Sequence, residues 1–407
     1  MPLAIVGIFM INILSILLGY LLGSISPAFI LGKVLKGIDI RKVGTKNAGA
    51  TNVKHILGMG PAVITAIFDM SKGLLAMLIA WQIFHLSLPW IYASGFAAIL
   101  GHTFPFYLKF RGGEGSATAV AMVLYLFVLF IWKGQLGLTP FLIIALFALS
   151  LLFISRQGEI VGLFTIPFFG YLIYKEIGSN TQTLFLDCLL GWHFVVIIIH
   201  IIKDRLFQTT GENKEKILHW RTLARPAAIV FPLLYFYLGK TIPLYLVGSV
   251  ALVFLLFDGI RLWYSGINLF LFANVKKLLK EKEKAHFSSM TMFTVSAFLS
   301  ILIFDKSIAI LVLFFLIFGD LFAKILGILY GRRRFFDKTL EGTLAFFTFS
   351  LVAGYILSPI LGLSFLIYFV GALTASITEA LLWGIDDNLS TAVISGGFMT
   401  GARILFG

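Results

Sequence analysis

Long apolar segments separated by short polar loops run through the whole chain. A helix of about 20 apolar residues crosses the roughly 30 Å hydrocarbon core of a bilayer. The pattern therefore predicts an all-α, polytopic membrane protein with roughly fourteen transmembrane helices in two seven-helix-like bundles. We expect these spans near residues 3–22, 61–84, 89–108, 117–132, 138–154, 160–174, 183–202, 226–239, 241–258, 289–304, 307–330, 343–358, 363–383 and 390–406.

The composition excludes a soluble globular protein. Of the 407 residues, 59% are hydrophobic and only 13% are charged, whereas soluble domains average roughly half apolar and a quarter charged residues. The first apolar segment, Leu3–Leu22, has no charged leader and many later spans follow it. We therefore expect a retained helix rather than a cleaved signal peptide. The single cysteine, Cys188, can form no internal disulfide and no cysteine-based metal site.

The distribution of Lys and Arg predicts the orientation in the membrane. Cytoplasmic loops of multi-pass proteins are enriched in these residues, so we expect an outside N-terminus and cytoplasmic basic loops in a bacterial-type inner membrane. The net charge of +13 then indicates membrane lipids and anionic substrates as partners, and no nucleic acid. The basic loops hold Lys33, Lys36, Arg41, Lys42, Lys46 and Lys54, then Lys109 and Arg111, then Arg156, and then Lys203, Arg205, Lys214, Lys216, Arg221 and Arg225.

Two polar segments suggest the domain organisation. Gly211–Arg225 is the longest hydrophilic segment, and it predicts a linker between domains at 1–212 and 213–407. Lys276–Lys284 follows an amphipathic lead-in and predicts a helix on the inner membrane surface.

Asp39–Asn52 is a basic, glycine-containing loop in the first domain, and it reads DIRKVGTKNAGATN. Such a loop can turn backbone N–H groups toward an anion while its cations neutralise the charge. It could equally be a cytoplasmic loop that only sets the orientation. A second polar segment, Gly101–Thr118, carries Gly112, Gly113 and Gly115 directly before a predicted helix, which is a favourable place for a phosphate. His200 ends a span before the next basic run.

These segments resemble the bacterial acyl-phosphate-dependent glycerol-3-phosphate acyltransferase family over about residues 1–212. The resemblance implies a seven-helix enzyme of the inner leaflet that needs no cofactor. It would move an acyl group from acyl phosphate to the 1-hydroxyl of glycerol 3-phosphate, giving lysophosphatidate. The matching motifs are Gly23-Ser24-Ile25-Ser26-Pro27, Asp39-Ile40-Arg41 through Gly49-Ala50-Thr51-Asn52, Asp69 with Lys72-Gly73, and Gly101-His102-Thr103-Phe104-Pro105 through Gly115-Ser116-Ala117-Thr118.

The resemblance also assigns roles to individual residues. It places His200, Ser26 and Asn47 at the catalytic centre, with His200 near the reacting hydroxyl. Without the resemblance, His200 would be read as a histidine that ends a helix at the interface, and Asp69 and Lys72 as a pair near a helix start. The substrate phosphates would be bound by Arg41, Thr51, Asn52, Gly112, Gly113, Gly115 and Arg111.

The chain departs from the family pattern at several positions. Glu114 stands where the family has the lysine of GGKG, and Glu159 stands where it has the second serine of S-x-G-S. A carboxylate in place of a cation repels a phosphate. The asparagine expected after His200 is absent, and Thr45 and Lys46 replace serine and glycine. The first domain therefore either accepts a different alcohol, with Arg111, Arg156 or Lys46 compensating, or is a degenerate lipid-binding scaffold.

The second domain combines acids and cations on one predicted face. Asp320 ends an apolar run, and Asp386, Asp387 and Asn388 form a set of oxygen ligands suited to Mg²⁺. The alternatives are a positive-inside anchor for the arginines and a helix N-terminal turn for the second acidic set. The candidate phosphate-binding residues are Arg332, Arg333, Arg334 and Lys338, with Glu341-Gly342 opening the next helix.

This half resembles the dolichol/phytol kinase and CTP-dependent diacylglycerol kinase family over about residues 215–407. The resemblance rests on Gly319-Asp320, Lys338-Thr339 with Glu341-Gly342, and Asp386-Asp387-Asn388. It implies a CTP-dependent lipid kinase in which Asp320, Asp386, Asp387 and Asn388 hold Mg²⁺, and Arg332, Arg333, Lys338, Glu341 and Gly342 bind the nucleotide. Phosphatidate cytidylyltransferases share part of this motif, so cytidylyl transfer stays open. A transporter is the rival class, and the sequence does not indicate the oligomeric state.

Overall fold

The structure is a computed structural model that describes residues 2–203, 222, 225–264, 266, 268, 281–381 and 386–406. The predicted linker Gly211–Arg225 lies outside the described residues except for Thr222 and Arg225. The same holds for the start of the predicted surface helix, at residues 276–280, whereas Glu281–Lys284 forms a single 3₁₀ turn. Contacts within the chain define two compact units, Met1–Ile144 with Gly162–Leu206 and Ala145–Val161 with Phe207–Gly407.

The first unit is built from helices joined by short loops. It contains α1 (Pro2–Ser24), α2 (Pro27–Lys36), α3 (Ala50–Leu57), α4 (Met59–Gln82), α5 (Leu88–Thr103), α6 (Ser116–Trp132), the first part of α7 (Leu138–Ser155), most of α8 (Gly158–Ile177) and α9 (Thr181–Lys203). Single 3₁₀ turns lie at Ile40–Lys42 and Phe106–Leu108.

The second unit is also helical. Its elements are α10 (Val230–Leu238), α11 (Thr241–Trp263), α12 (Ser289–Ile303), α13 (Lys306–Phe314), α14 (Asp320–Tyr330), α15 (Leu340–Leu361), α16 (Phe365–Ala380) and α17 (Asp387–Phe406). A π-helical turn, Phe315–Gly319, joins α13 to α14. A two-residue hairpin pairs β1 (Arg334–Phe335) with β2 (Lys338–Thr339), with Arg334 opposite Thr339.

The structure confirms an all-α, polytopic membrane protein. In the described part of the chain, nine helical segments are long and apolar enough to cross a membrane. Each predicted span coincides with a helical segment. Because five of those segments have fewer than 18 residues, the number of fourteen crossings stays a prediction.

Close packing of α1 against α5 positions the first unit's polar loops. A side chain at Gly23 would collide with the backbone of Ala98, and one at Gly101 with the carbonyl oxygen of Tyr20. The glycines therefore let the two helices approach within backbone contact. This approach brings the ends of α1 and α5 to the same place, where the loops that follow them can meet.

Candidate functional site

Asn52 organises the Asp39–Asn52 loop. Its side chain is 1% exposed, and its Oδ1 accepts a hydrogen bond from the Thr45 N–H at 2.9 Å. Its Nδ2 donates to the carbonyl oxygens of Ile40, Val43 and Asn47 at 2.8, 3.0 and 3.0 Å. All of its polar groups are thus used inside the loop, so Asn52 shapes the loop and has no free group for a phosphate.

Arg41 is held by protein acceptors as well. Its Nε and Nη2 donate to the two oxygens of Asp39 at 3.0 and 2.9 Å, and its Nη1 donates to the carbonyl oxygens of Leu108 and Arg111 at 2.8 and 2.7 Å. The hydrogen bond from Arg41 holds the pKa of the Asp39 carboxyl below its ordinary value. Arg41 therefore joins its loop to the loop after α5, and its phosphate-binding role stays a prediction.

Ser26 and Tyr107 form a second connection between the same loops. Ser26 is buried at the N-terminus of α2, where its Oγ accepts a hydrogen bond from the Phe29 N–H at 3.3 Å. Its own N–H donates to the Tyr107 hydroxyl at 3.2 Å, and that hydroxyl donates to the Ser24 carbonyl at 2.9 Å. In the Asp39–Asn52 loop, Asn47 is half-buried and Thr51 is exposed.

The glycines before α6 are not free phosphate ligands. The Gly112 N–H donates to the Thr103 carbonyl at 2.9 Å, and the Gly113 N–H donates to the His102 carbonyl at 3.1 Å. In this conformation the end of α5 already uses both N–H groups, and the phosphate-binding role of Gly112 and Gly113 stays a prediction. Gly115 precedes α6 with φ +74°, and the first N–H groups of α6 have no acceptor within the helix. Arg111 is exposed.

A buried charged cluster lies beneath this loop. Nζ of Lys72 lies 2.9 Å from Oδ1 of Asp69, and Nδ1 of His102 lies 3.3 Å from the same oxygen. Nζ of Lys72 also contacts Nδ1 of His102. Asp69 and Lys72 lie in the middle of α4, not near a helix start as the sequence suggested. The role of His102 was missed, although it stands inside the motif Gly101–Pro105.

Glu114 and His200 are joined by a side-chain hydrogen bond in the first unit. Oε1 of Glu114 lies 3.0 Å from Nε2 of His200, and the two side chains are 34% and 27% exposed. The Glu114 carbonyl accepts a hydrogen bond from Nε1 of Trp192 at 3.2 Å. Nδ1 of His193 is buried and has no partner among the described residues. Trp192 and His193 were not predicted, because only their position on α9 brings them to this loop.

Among the described residues, no lysine or arginine pairs with Glu114. Its side-chain partner there is His200, whereas Arg111 and Lys46 are exposed and make no ion pair. Glu159 is half-buried in the first turn of α8, in the segment Ala145–Val161 of the second unit, and Arg156 belongs to the same segment.

In the second unit, the predicted residues converge on a cavity of about 1330 Å³. Its polar lining includes Asp320, Lys338, Gly342, Asp386, Asp387 and Asn388, which the sequence had placed together, as well as Arg225 and Glu379. Its apolar lining includes Phe231, Val250, Phe254 and Phe293. The cavity therefore offers an amphiphilic molecule both a polar and an apolar surface.

Two cations balance the acids of this cavity. Arg225 forms an ion pair with Asp320 and donates to Oδ1 of Asn388 at 2.8 Å. Nζ of Lys338 lies 2.7 Å from Oε1 of Glu379 and 3.0 Å from Oδ2 of Asp387. Burial alone would lower the pKa of Lys338, but these two carboxylates raise it above its ordinary value. Arg225 and Glu379 were missed, although an acid inside an apolar helix is itself a signal of a functional site.

The oxygen donors do not form a ready Mg²⁺ site. Carboxylate oxygens suit Mg²⁺, but Asp320 and Asp387 pair with Arg225 and Lys338. The described residues contain no group of three acidic, histidine or cysteine side chains placed to hold a metal ion. The predicted ligand set Asp320, Asp386, Asp387 and Asn388 therefore does not fit the metal in this arrangement.

Arg332 and Arg333 do not line the cavity. Arg332 donates to the carbonyl oxygens of Phe153 and Ile154, near the end of α7, at 3.0 and 2.7 Å. The guanidinium of Arg333 lies 5.6 Å from the ring centre of Phe153. Glu341 accepts hydrogen bonds from the N–H groups of both arginines at 3.0 and 3.2 Å. These three residues support the hairpin, and the structure does not bring them to the nucleotide-binding position that the sequence suggested.

Comparisons with known proteins place the first half in a family. Residues 13–208 match the family model described as glycerol-3-phosphate acyltransferase. Glycerol-3-phosphate acyltransferase 1 of Deinococcus radiodurans is 39% identical over 183 residues, which cover 44% of this chain and 86% of that protein. A glycerol-3-phosphate acyltransferase of Thermus thermophilus is 37% identical over 175 residues, which cover 40% of this chain and 87% of that protein.

A solved structure is also similar to about half of this chain. It is the crystal structure of PlsY (YgiH), an integral membrane glycerol 3-phosphate acyltransferase, in its glycerol 3-phosphate form. It is 26% identical and covers 51% of this chain and 98% of its own, with a TM-score of 0.37. On the sequence relationships, the chain belongs to the glycerol-3-phosphate acyltransferase family through its residues 13–208.

Proposed function

We propose that the first unit transfers an acyl group from acyl phosphate to a hydroxyl of glycerol 3-phosphate or a related polyol at the cytoplasmic membrane face. The observation that supports this most is the assembly of motifs that are distant in sequence. Arg41 joins the Asp39–Asn52 loop to the carbonyl oxygens of Leu108 and Arg111, and Tyr107 joins that segment to Ser26. The glycine loop that follows carries Glu114, whose partner is His200.

The reaction needs positioning and a base rather than a covalent intermediate. Acyl phosphate is an activated mixed anhydride, so the acceptor oxygen can attack its carbonyl carbon directly. A new ester bond forms, the bond between the carbonyl carbon and the phosphate oxygen breaks, and inorganic phosphate leaves. His200 takes the proton of the acceptor hydroxyl. The unpaired first N–H groups of α6 would stabilise the negative charge that develops.

An assay of the full chain in nanodiscs tests this function. Labelled palmitoyl phosphate is supplied with glycerol 3-phosphate or glycerol, and lipid products and released phosphate are measured. We expect an acylated product from at least one acceptor, with a loss of at least about 100-fold in His200→Gln because a general base is removed. If neither acceptor is acylated, the first unit is a lipid-binding scaffold, which is the alternative.

A second function is proposed for the second unit, because its cavity gathers the residues that resemble a lipid kinase. We propose that it phosphorylates a membrane alcohol with CTP. The alcohol would lie along Phe231, Phe254 and Phe293, and the phosphates near Arg225 and Lys338. The alcohol oxygen would form a bond to the γ-phosphorus, the bond from that phosphorus to the bridging oxygen would break, and CDP would leave.

CTP labelled in either its γ- or its α-phosphate distinguishes phosphoryl transfer from cytidylyl transfer. Full chain in nanodiscs with diacylglycerol or a polyprenol is incubated with γ-labelled CTP and, separately, with α-labelled CTP. Label from the γ-position in the lipid supports the kinase, whereas label from the α-position with a phosphatidate substrate indicates cytidylyl transfer. Lys338→Met should abolish either product. No labelled lipid with either nucleotide would contradict the proposal.

A further inference from the structure

Glu114 places a carboxylate in the glycine-containing loop before α6, 3.0 Å from His200. Its carboxylate is directed to His200, and no lysine or arginine among the described residues pairs with it. A dianionic phosphate bound beside it would meet repulsion, and the repulsion is only partly screened because the side chain is 34% exposed. The subsite at Glu114 therefore disfavours an anionic group.

The same contact defines the chemistry of His200. When Nε2–H of a neutral imidazole donates to a carboxylate, the proton is held on that nitrogen and Nδ1 keeps its lone pair. The carboxylate also stabilises the imidazolium that forms when Nδ1 takes a proton. No described hydrogen bond uses Nδ1 of His200, so the arrangement leaves a base that can accept a proton from an alcohol.

A second unpaired nitrogen lies on the same helix. Nδ1 of His193 is buried without a partner among the described residues. His193 lies two helical turns before His200, so the two side chains lie on nearly the same face of α9. It is also close enough to Glu114 and His200 to interact with them electrostatically. An unpaired ring nitrogen at this place suits a hydroxyl group of a ligand.

We propose that the first unit acylates an uncharged polyol, with Glu114 as the positioning residue that holds His200 as the base and excludes a phosphate-bearing acceptor. This inference rests on the acyl transfer proposed above and specifies the acceptor class. The acceptor hydroxyl gives its proton to Nδ1 of His200, and its oxygen forms the ester bond. The bond between the acyl carbon and the phosphate oxygen breaks. Inorganic phosphate leaves, and the proton passes to the solvent.

The test compares two acceptors in wild type and three variants. Wild type, Glu114→Gln, Glu114→Asp and Glu114→Lys are assayed in nanodiscs with labelled palmitoyl phosphate and either glycerol or glycerol 3-phosphate. We expect wild type to show a kcat/KM at least about tenfold higher for glycerol than for glycerol 3-phosphate. Glu114→Lys should reverse the preference by lowering KM for glycerol 3-phosphate. Glu114→Gln should lower kcat for glycerol and leave its KM unchanged, and Glu114→Asp should restore part of kcat.

A matched control and a binding experiment separate the possible outcomes. Glu176→Lys makes the same charge change at an exposed residue of the same unit, and it should leave the acceptor preference unchanged. Calorimetry without acyl donor should show that Glu114→Lys binds glycerol 3-phosphate at least about tenfold more tightly than wild type. Equal binding, or a wild-type preference for glycerol 3-phosphate, overturns the inference and leaves the acyltransferase function standing. No acylation of either acceptor in any variant overturns both.

Discussion

Oε1 of Glu114 lies 3.0 Å from Nε2 of His200, although the two residues are 86 positions apart in the chain. The contact joins the loop before α6 to the end of α9. The same loop is held a second time by α9, because Nε1 of Trp192 donates to the Glu114 carbonyl. The position of the carboxylate therefore depends on both the side chain and the backbone of Glu114.

Trp192→Phe tests the second of these contacts. The substitution removes the indole N–H and retains an aromatic ring near Phe96, whose ring centre lies 6.0 Å away. We expect a loss of about 1 kcal/mol in the free energy of unfolding, because one hydrogen bond is lost. The rate of acyl transfer should fall several-fold, because the loop that carries Glu114 loses its backbone anchor.

Trp132→Phe is the matched control for that variant, because Trp132 is 79% exposed. It should change neither the stability nor the rate. If Trp192→Phe retains the wild-type rate, the backbone contact does not position Glu114. Stability is measured by thermal unfolding in detergent, and the rate is measured in the palmitoyl phosphate assay.

The buried cluster of Asp69, Lys72 and His102 predicts a large effect on stability. Lys72 is 0% exposed and Asp69 is 2% exposed. Lys72→Met should therefore lower the free energy of unfolding by about 3 to 5 kcal/mol, because the buried Asp69 carboxylate loses its lysine partner and keeps only His102 beside it. The double variant Asp69→Asn/Lys72→Met should recover most of that loss, because it removes both charges together.

Lys54→Met provides a control for the change of side chain, because Lys54 is exposed in α3. It should unfold like wild type. A double variant that is as unstable as Lys72→Met alone would show that the cluster is not stabilised by the pairing of these charges. Denaturant unfolding in detergent measures all three proteins.

Alanine substitutions at Asn52 and Asn47 distinguish a residue that holds the loop in place from a residue that is predicted to act in catalysis. Asn52→Ala removes the hydrogen bonds that hold the loop, so we expect a loss of about 2 to 4 kcal/mol in the free energy of unfolding. Asn47→Ala should leave stability unchanged and lower the rate, because Asn47 is a predicted catalytic residue without a described side-chain hydrogen bond. A stable Asn52→Ala protein would contradict the role of Asn52 in the loop.

The predicted helices agree with the structure because their main determinant is local. The hydrophobic thickness of a membrane sets a minimum length for an apolar run, and the chain shows that length directly in segments such as α4 and α9. Loop directions depend instead on which helices pack together. The donation from Arg41 to Leu108 and the burial of His102 beside Asp69 follow from the α1–α5 and α4–α5 contacts, which no motif spacing reveals.

Charge alone was a poor guide to side-chain direction. Arg332 and Lys338 carry the same charge and lie close together in sequence. Yet Lys338 lines the cavity of the second unit, and Arg332 binds the last carbonyl groups of α7, where a helix end favours a cation. The sequence indicated the cations and acids of this unit, but only the hairpin geometry decides which of them reach the cavity.

The raised pKa of Asp386 predicts that the stability of the second unit changes with pH. Burial and the neighbouring Asp387 raise the pKa of Asp386 above its ordinary value. The folded state therefore holds this proton more tightly than the unfolded state. The resulting stabilisation is present below about pH 4 and is lost as the pH rises through the raised pKa. Asp386→Asn cannot ionise, so it should match wild type near pH 4 and become more stable than wild type toward pH 7.

Asp387→Asn is the matched control for this prediction, because it removes a carboxylate that pairs with Lys338 at 3.0 Å. It should be less stable than wild type at pH 7, since Lys338 loses a partner that raises its pKa. Thermal unfolding of the three proteins in detergent at several pH values between 4 and 8 measures both effects. If Asp386→Asn is less stable than wild type at pH 7, the ionised carboxylate of Asp386 is stabilising. Arg225, which interacts electrostatically with Asp386, would then compensate its charge more strongly than its burial penalises it.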